Sequence, residues 1–199
     1  TGIRSAFAPL RYANTLYFTG AVERPGAKDP YTDLSYTDLY QMPASGGTPQ
    51  LVPGVNGPYH DGMAAVSPDG SMLIFTRSNH QVDKARKLLT DDSDINNTTL
   101  FYARKGLKEW ERVVEIGLSE GAHMFAHPAW SPDGSRLYFS SDMPGGQGGM
   151  DLWHIRRNGT TWEFPPVNMG SKVNSRGDDV FPSMKGNDTL FFASDAQIT

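Results

Sequence analysis

The chain's five histidines are His60, His80, His123, His127 and His154. Imidazole is the side chain best suited to ligate a divalent metal or to move a proton near neutral pH. His60, His123 and His127 are separated by 63 and 4 residues, which matches no metal-motif spacing, and His127 stands immediately before Pro128. They read as polar residues of a rim, and no metal site is expected. Asp61 with Asp178 or Asp179 is the one carboxylate pairing that a hydrolytic reading at a channel mouth needs. The run Asp91-Asp92-Ser93-Asp94-Ile95-Asn96 alternates oxygen ligands as calcium loops do. An EF-hand counted from Asp92 requires Gly at its sixth position and Glu at its twelfth, where the chain has Asn97 and Ala103. That run reads as a solvated acidic loop.

Two further motifs have the look of chemistry and a simpler explanation. Ser67-Pro68-Asp69-Gly70 and Ser131-Pro132-Asp133-Gly134 bring a hydroxyl beside a carboxylate. In each, Pro pre-sets φ, Asp accepts backbone N–H bonds and Gly takes φ > 0, so a hairpin turn accounts for all four residues. The run Gly145-Gly146-Gln147-Gly148-Gly149 lacks a P-loop lysine and a following helix, and reads as a tight connection. Cysteine is absent, which removes disulfides, thiolate metal sites and a thiol nucleophile. No catalytic residue and no cofactor is therefore expected.

The elements that must carry these residues repeat. Phe7 to Phe18, Ala64 to Phe75, Pro128 to Phe139 and Phe181 to Phe192 share one pattern of short strand, polar turn and aromatic-rich strand. Their closing phenylalanines stand 57, 64 and 53 residues apart. A second pair of strands follows each of the first three: Asp38-Leu39-Tyr40 to Gln50-Leu51-Val52, Thr99-Leu100-Phe101 to Trp110–Ile116, and Asp151-Leu152-Trp153 to Thr161-Trp162. Asn158-Gly159 joins the last pair and is a strong hairpin signal. Each unit is thus four short strands, a to d, in a meander. From the strand-b Phe to the strand-c aromatic the gap is 22, 26 and then 14 residues, while the return to the next strand-b Phe stays at 35 to 39. Insertion is tolerated where backbone is exposed, so the b–c segments 20–36 and 78–98 are the variable surface part. A short helix is expected over Val82–Leu89 within the second.

Four antiparallel strands per unit of about 40–60 residues is the pattern of a β-propeller blade. The fold class is therefore all-β, a propeller with about three and a half four-stranded blades, over approximately 5–56, 57–119, 120–175 and an incomplete 176–199. Leu16, Phe18, Leu73, Phe75, Leu137, Phe139, Leu190 and Phe192 are expected to pack between blades. The chain reads as a fragment of a larger, six-bladed propeller, with Thr1–Arg4 either belonging to a preceding blade or leaving the sheet open. Gly and Pro total 35 of 199 residues, in keeping with so many turns, and a net charge of −4 leaves no basic excess for nucleic acid. No apolar run reaches the roughly 18–20 residues of a membrane span. The Asn-x-Ser/Thr matches at Asn96, Asn97, Asn158 and Asn187 would matter only in a eukaryotic secreted protein.

Trp130-Ser131-Pro132-Asp133-Gly134-Ser135-Arg136-Leu137-Tyr138-Phe139, echoed by Ser67–Gly70, resembles the WD-like Pro-Asp propeller repeat of TolB-type proteins. The order Gly145–Trp153, Trp162, Pro166–Gly170, Val173-Asn174-Ser175 and Asp178-Asp179 is similar to Bacteroidota envelope proteins of the OmpA family. In these, tetratricopeptide repeats precede the propeller and an OmpA-type domain follows it, as in PorE-type components of type IX secretion. Leu10–Asn14 replaces the Ser-Pro-Asp-Gly turn in the first unit, and the second lacks the Gly-Gly-x-Asp lead into strand c. The resemblance implies a periplasmic, outer-membrane-associated module that binds envelope or secretion proteins. Peptidoglycan contact would come through a domain outside this chain, and any targeting segment would lie upstream. The loop face expected to bind is assigned Tyr59, His60, Asp61, His123, His127, Arg176, Asp178 and Asp179. The alternatives are a TolB-like periplasmic adaptor of another system, or a glycan-active propeller enzyme.

Overall fold

The computed structural model describes residues 2–22, 28, 35–78, 98–118 and 123–196. The first sheet is β1 (Ser5–Tyr12), β2 (Thr15–Ala21), β3 (Thr37–Pro43) and β4 (Gln50–Leu51), hydrogen-bonded in chain order. The second is β5 (Asp61–Val66), β6 (Met72–Ser78), β7 (Thr98–Lys105) and β8 (Trp110–Glu115). The third is β9 (Phe125–Trp130), β10 (Arg136–Ser141), β11 (Asp151–Asn158) and β12 (Thr161–Asn168). A two-stranded sheet of β13 (Asp179–Lys185) and β14 (Thr189–Ser194) follows. All pairings are antiparallel, and the expected b strands are β2, β6, β10 and β14, one per sheet. The result is an open, partial β-propeller. Arg4 donates its N–H to the Ala21 carbonyl at 3.0 Å, so it extends β1 and belongs to the first blade rather than to a preceding one.

Burial follows the blade interfaces. One apolar cluster joins the first two blades through Tyr17, Leu39, Val52, Leu73, Phe75 and Trp110. Another joins the second and third through Ile74, Leu100, Phe125, Leu137, Phe139 and Trp153. Leu73 and Ile74 are neighbours on β6, yet they fall in different clusters, because successive strand residues face opposite sides of a sheet. Phe75, Leu73, Leu137 and Phe139 are all fully buried, as expected of them. Leu16 and Leu190 are half-buried, and Phe192 is 38% exposed, a correction to its expected place in the core. It lies on the two-stranded sheet, where β14 pairs with β13 alone among the described residues.

Both Ser-Pro-Asp-Gly segments form the expected turns. Ser131 donates its hydroxyl to Asp133 Oδ1 at 2.6 Å, and the same oxygen accepts from the Ser135 N–H at 2.9 Å. Asp69 is held identically by Ser67 and Ser71. The hydroxyl donors, then the backbone N–H, draw both carboxyls down to about 2. Gly70 and Gly134 both take φ +69°, where a side chain is strained. Tyr12 donates its hydroxyl to the Pro68 carbonyl at 3.2 Å, so the turn of one blade also ties it to its neighbour.

Candidate functional site

The innermost strand of every blade carries one extra residue. The register slips by one between Phe7 and Leu10, Gly62 and Ala64, Val180 and Ser183, and opposite Tyr138 and Ser140 on the β9 side. At each slip stands a non-glycine residue with positive φ: Ala8 (50°), Met63 (43°), His127 (55°) and Phe181 (57°). These are β-bulges in the left-handed region, a conformation that costs a side-chain-bearing residue about 1–3 kcal/mol unless its surroundings impose it. All four line one cavity of about 370 Å³ together with Pro9, Pro128 and Pro182. No Asp or Glu is among its lining residues. Apolar side chains predominate in the cavity wall, with Ser131, Ser183 and the His127 imidazole among its polar members.

His127 is the most perturbed of the assigned residues. It lies inside β9, and its ring meets Phe181 of the next blade at 4.0 Å between centroids. Its Nδ1 is buried with no hydrogen-bond partner, and burial lowers its pKa to about 4. The ring is therefore neutral at physiological pH.

The remaining assigned residues lie in or beside the connections that lead into β5, β9 and β13. Asp61 is fully buried at the head of β5, where its Oδ1 accepts from Arg77 Nε at 2.6 Å and its Oδ2 from the Gly57 N–H at 2.5 Å. Burial pushes its carboxyl up against the opposing pull of Arg77. Asp179 heads β13, also fully buried, and accepts from the Ser175 N–H at 2.6 Å and from the Ser175 hydroxyl. These two carboxylates belong to separate sheets with the third blade between them, and each is already engaged. Asp178 Oδ1 accepts from the Met150 N–H at 2.7 Å, tying the third blade's b–c connection to the fourth blade. That connection is tight because Gly148 abuts Arg176 and Gly177, where an added Cβ would collide with the backbone. His60 Nδ1 accepts from the Thr37 N–H at 3.2 Å, and its ring meets Tyr36 edge-on, as does Tyr59. His123 lies 3.6 Å from Asp142, whose Oδ1 also accepts from the Met124 N–H. Arg176 is exposed. The acidic run Asp91–Asn96, the Val82–Leu89 helix and His80 lie outside the described residues.

Sequence reasoning passed over two seam asparagines. Asn174 is 4% exposed, and it pairs with both backbone groups of Leu152: Oδ1 takes the N–H at 2.8 Å and Nδ2 donates to the carbonyl at 3.0 Å. Asn56 does the same to Leu39 at 2.7 and 3.0 Å. The signal was present as Val-Asn-x-x-x-x-Asp, read at Val55–Asp61 and again at Val173–Asp179. The bulges left a trace too: Pro9, Pro128 and Pro182 follow three of the four bulge residues, and proline inside a strand marks an edge or a bulge.

Repeated sheets, shared seams and an axial cavity define a β-propeller of four-stranded antiparallel blades, and the solved structures it resembles are of that kind. A TolB from Agrobacterium tumefaciens matches with a TM-score of 0.59 at 20% identity, over 91% of this chain and 50% of that one. TolB from Acinetobacter baumannii matches with a TM-score of 0.57 at 14% identity, over 94% and 37%. A thermostable family-43 glycoside hydrolase matches with a TM-score of 0.55 at 12% identity, over 95% and 65%. The uncharacterized protein Atu1656 of Agrobacterium fabrum is 26% identical over 162 residues, 80% of this chain and 44% of that protein. The chain thus spans about half the length of these first relatives or less. No protein-family model matches it. The fold is TolB-like, and at these identities the likeness concerns fold alone.

Proposed function

We propose that this chain is a non-catalytic protein-binding module of a bacterial cell envelope, periplasmic and outer-membrane associated, serving type IX secretion. The observation that carries the binding reading is the axial cavity: about 370 Å³, mostly apolar and proline-bearing, with no carboxylate in its wall. Glycoside hydrolysis needs two carboxylates flanking one bond, and here Asp61 and Asp179 are each occupied by neighbours. Such a wall suits the side chains of a protein segment. TolB-type propellers among the structural neighbours support an adaptor role, and the OmpA-family resemblance of the third unit supports the envelope and secretion assignment.

The test is capture from a solubilised cell envelope with the wild type and Phe181→Asp. Aspartate tolerates the left-handed region better than most residues and Phe181 is already 53% exposed, so the blade should stay folded. Loss of specific envelope proteins with the variant is the expected result. Unchanged capture overturns the cavity as the docking site, and polysaccharide hydrolysis abolished by Asp61→Asn would install the enzyme reading instead. If the captured proteins have no role in secretion, a TolB-like adaptor of another system replaces the type IX assignment.

A further inference from the structure

Two seams of this propeller use the same device with different chemistry. The residue just before the innermost strand of one blade accepts a hydrogen bond from the backbone N–H that leads the preceding blade into its strand c. At the seam of the third and fourth blades that residue is Asp178, and the donor is Met150 N–H at 2.7 Å. At the seam of the first and second blades it is His60, and the donor is Thr37 N–H at 3.2 Å. Thr37 is also the first residue of β3, where the chain re-enters the sheet after the 22–36 segment.

A carboxylate accepts at any pH above its acidic titration, but an imidazole accepts only while neutral. With Nδ1 accepting, the ring proton sits on Nε2. Protonation turns Nδ1 into a donor pointed at another donor. The Thr37 hydroxyl, 3.2 Å from the same nitrogen, can turn to accept the new N–H, which leaves the Thr37 amide alone without its partner. Titratable groups on the described elements beside this ring include Tyr36 and Asp38 from the β3 side, Tyr59 and Asp61 from its own segment, and Arg77 from β6. Asp61 is paired with Arg77 at 2.6 Å and also interacts electrostatically with His60. The His60 N–H and carbonyl are held by Ser78, so the backbone stays in place when the ring titrates.

We infer that His60 is a pH-operated clasp at the seam of the first two blades, closing the entry to β3 when neutral and releasing the Thr37 amide when protonated. The seam at Asp178 is its carboxylate counterpart. Protonation of His60 therefore loosens the entry to β3 and leaves the third blade's connection closed. This is separate from the docking reading and needs no partner to be measured.

Amide hydrogen exchange by NMR on the whole chain tests it, with rates corrected for intrinsic pH dependence and the His60 ring followed in the same samples. Thr37 protection should fall about tenfold as His60 protonates, the effect of one lost hydrogen bond, while Met150 protection stays unchanged over the same range. His60→Asp should make Thr37 behave as Met150 does, and His60→Asn, whose carbonyl accepts without titrating, should also remove the pH dependence. Thr37 protection that is unchanged across the His60 titration overturns the clasp. So does a pH dependence that survives in His60→Asn. The wild-type contrast between Thr37 and Met150 decides the matter even if a variant fails to fold.

Discussion

Phe139 and Phe192 occupy the same place in the repeat, third from the end of strand b, and they meet opposite fates. Phe139 is fully buried between the second and third blades, against Phe125 and Ile74. Phe192 is 38% exposed on a two-stranded sheet. Residue type, strand and register are the same, so the difference comes from what lies beside each strand: β10 pairs on both edges, with β9 and β11, whereas β14 pairs with β13 alone among the described residues. Burial at this position depends on the surrounding strands rather than on the strand that carries the ring.

Truncation tests that contrast most strongly. Phe139→Ala should cost about 3–5 kcal/mol in denaturant unfolding, and Phe192→Ala less than about 1 kcal/mol. Equal costs would mean that Phe192 is covered in solution. The seam asparagines come next. Asn174→Ala removes the side-chain partner of the buried Leu152 N–H, while the Leu152 carbonyl keeps the Met169 N–H at 3.0 Å, and should cost about 2 kcal/mol, with Asn56→Ala close behind through the Leu39 N–H. A smaller effect, about 1–2 kcal/mol, is expected from Gly134→Val, which forces a β-branched residue to φ +69°.

Acid should separate two weaker contributions. His127 has a folded pKa of about 4 against an ordinary 6.5, so the unfolded chain takes up the proton first. Its contribution is intact above 6.5 and is lost as pH falls from there to about 4. Asp69 and Asp133 have folded values of about 2 against 3.8, so their stabilisation persists above 3.8 and is lost between there and about 2. In melting curves taken stepwise from pH 7 to 2, His127→Phe should flatten the upper window and Asp133→Asn part of the lower one. An unaltered upper window would show that His127 is hydrated and that its seam with Phe181 is open.

The blades were legible because their signals are local. Alternating apolar residues such as Leu137 and Phe139, and the Ser-Pro-Asp-Gly turns, encode strand and hairpin within about ten residues. The seams were not, because their pairs lie far apart in sequence: Asn174 reaches back 22 residues to Leu152, and Asp178 reaches 28 to Met150. Asp61 illustrates the same limit. From sequence it was an ionisable residue near a channel, but only the fold shows Arg77 and Gly57 already holding its carboxylate. His127 was read as a strand residue before Pro128, but its left-handed backbone was not, because nothing local announces a bulge apart from the proline that follows it.

The four bulges also decide how a guest can be held. Strands β1, β5, β9 and β13 each form the inner edge of their sheet, with one partner apiece. Such an edge would ordinarily be a template for any extended chain that came alongside. An extra left-handed residue midway interrupts the regular row of amides and carbonyls that an added strand would need, and the prolines at positions 9, 128 and 182 remove three of the donors outright. A polypeptide entering along the axis therefore meets side chains rather than a ladder, and its fit depends on its shape. The same interruption keeps the inner rims of neighbouring molecules from zipping together.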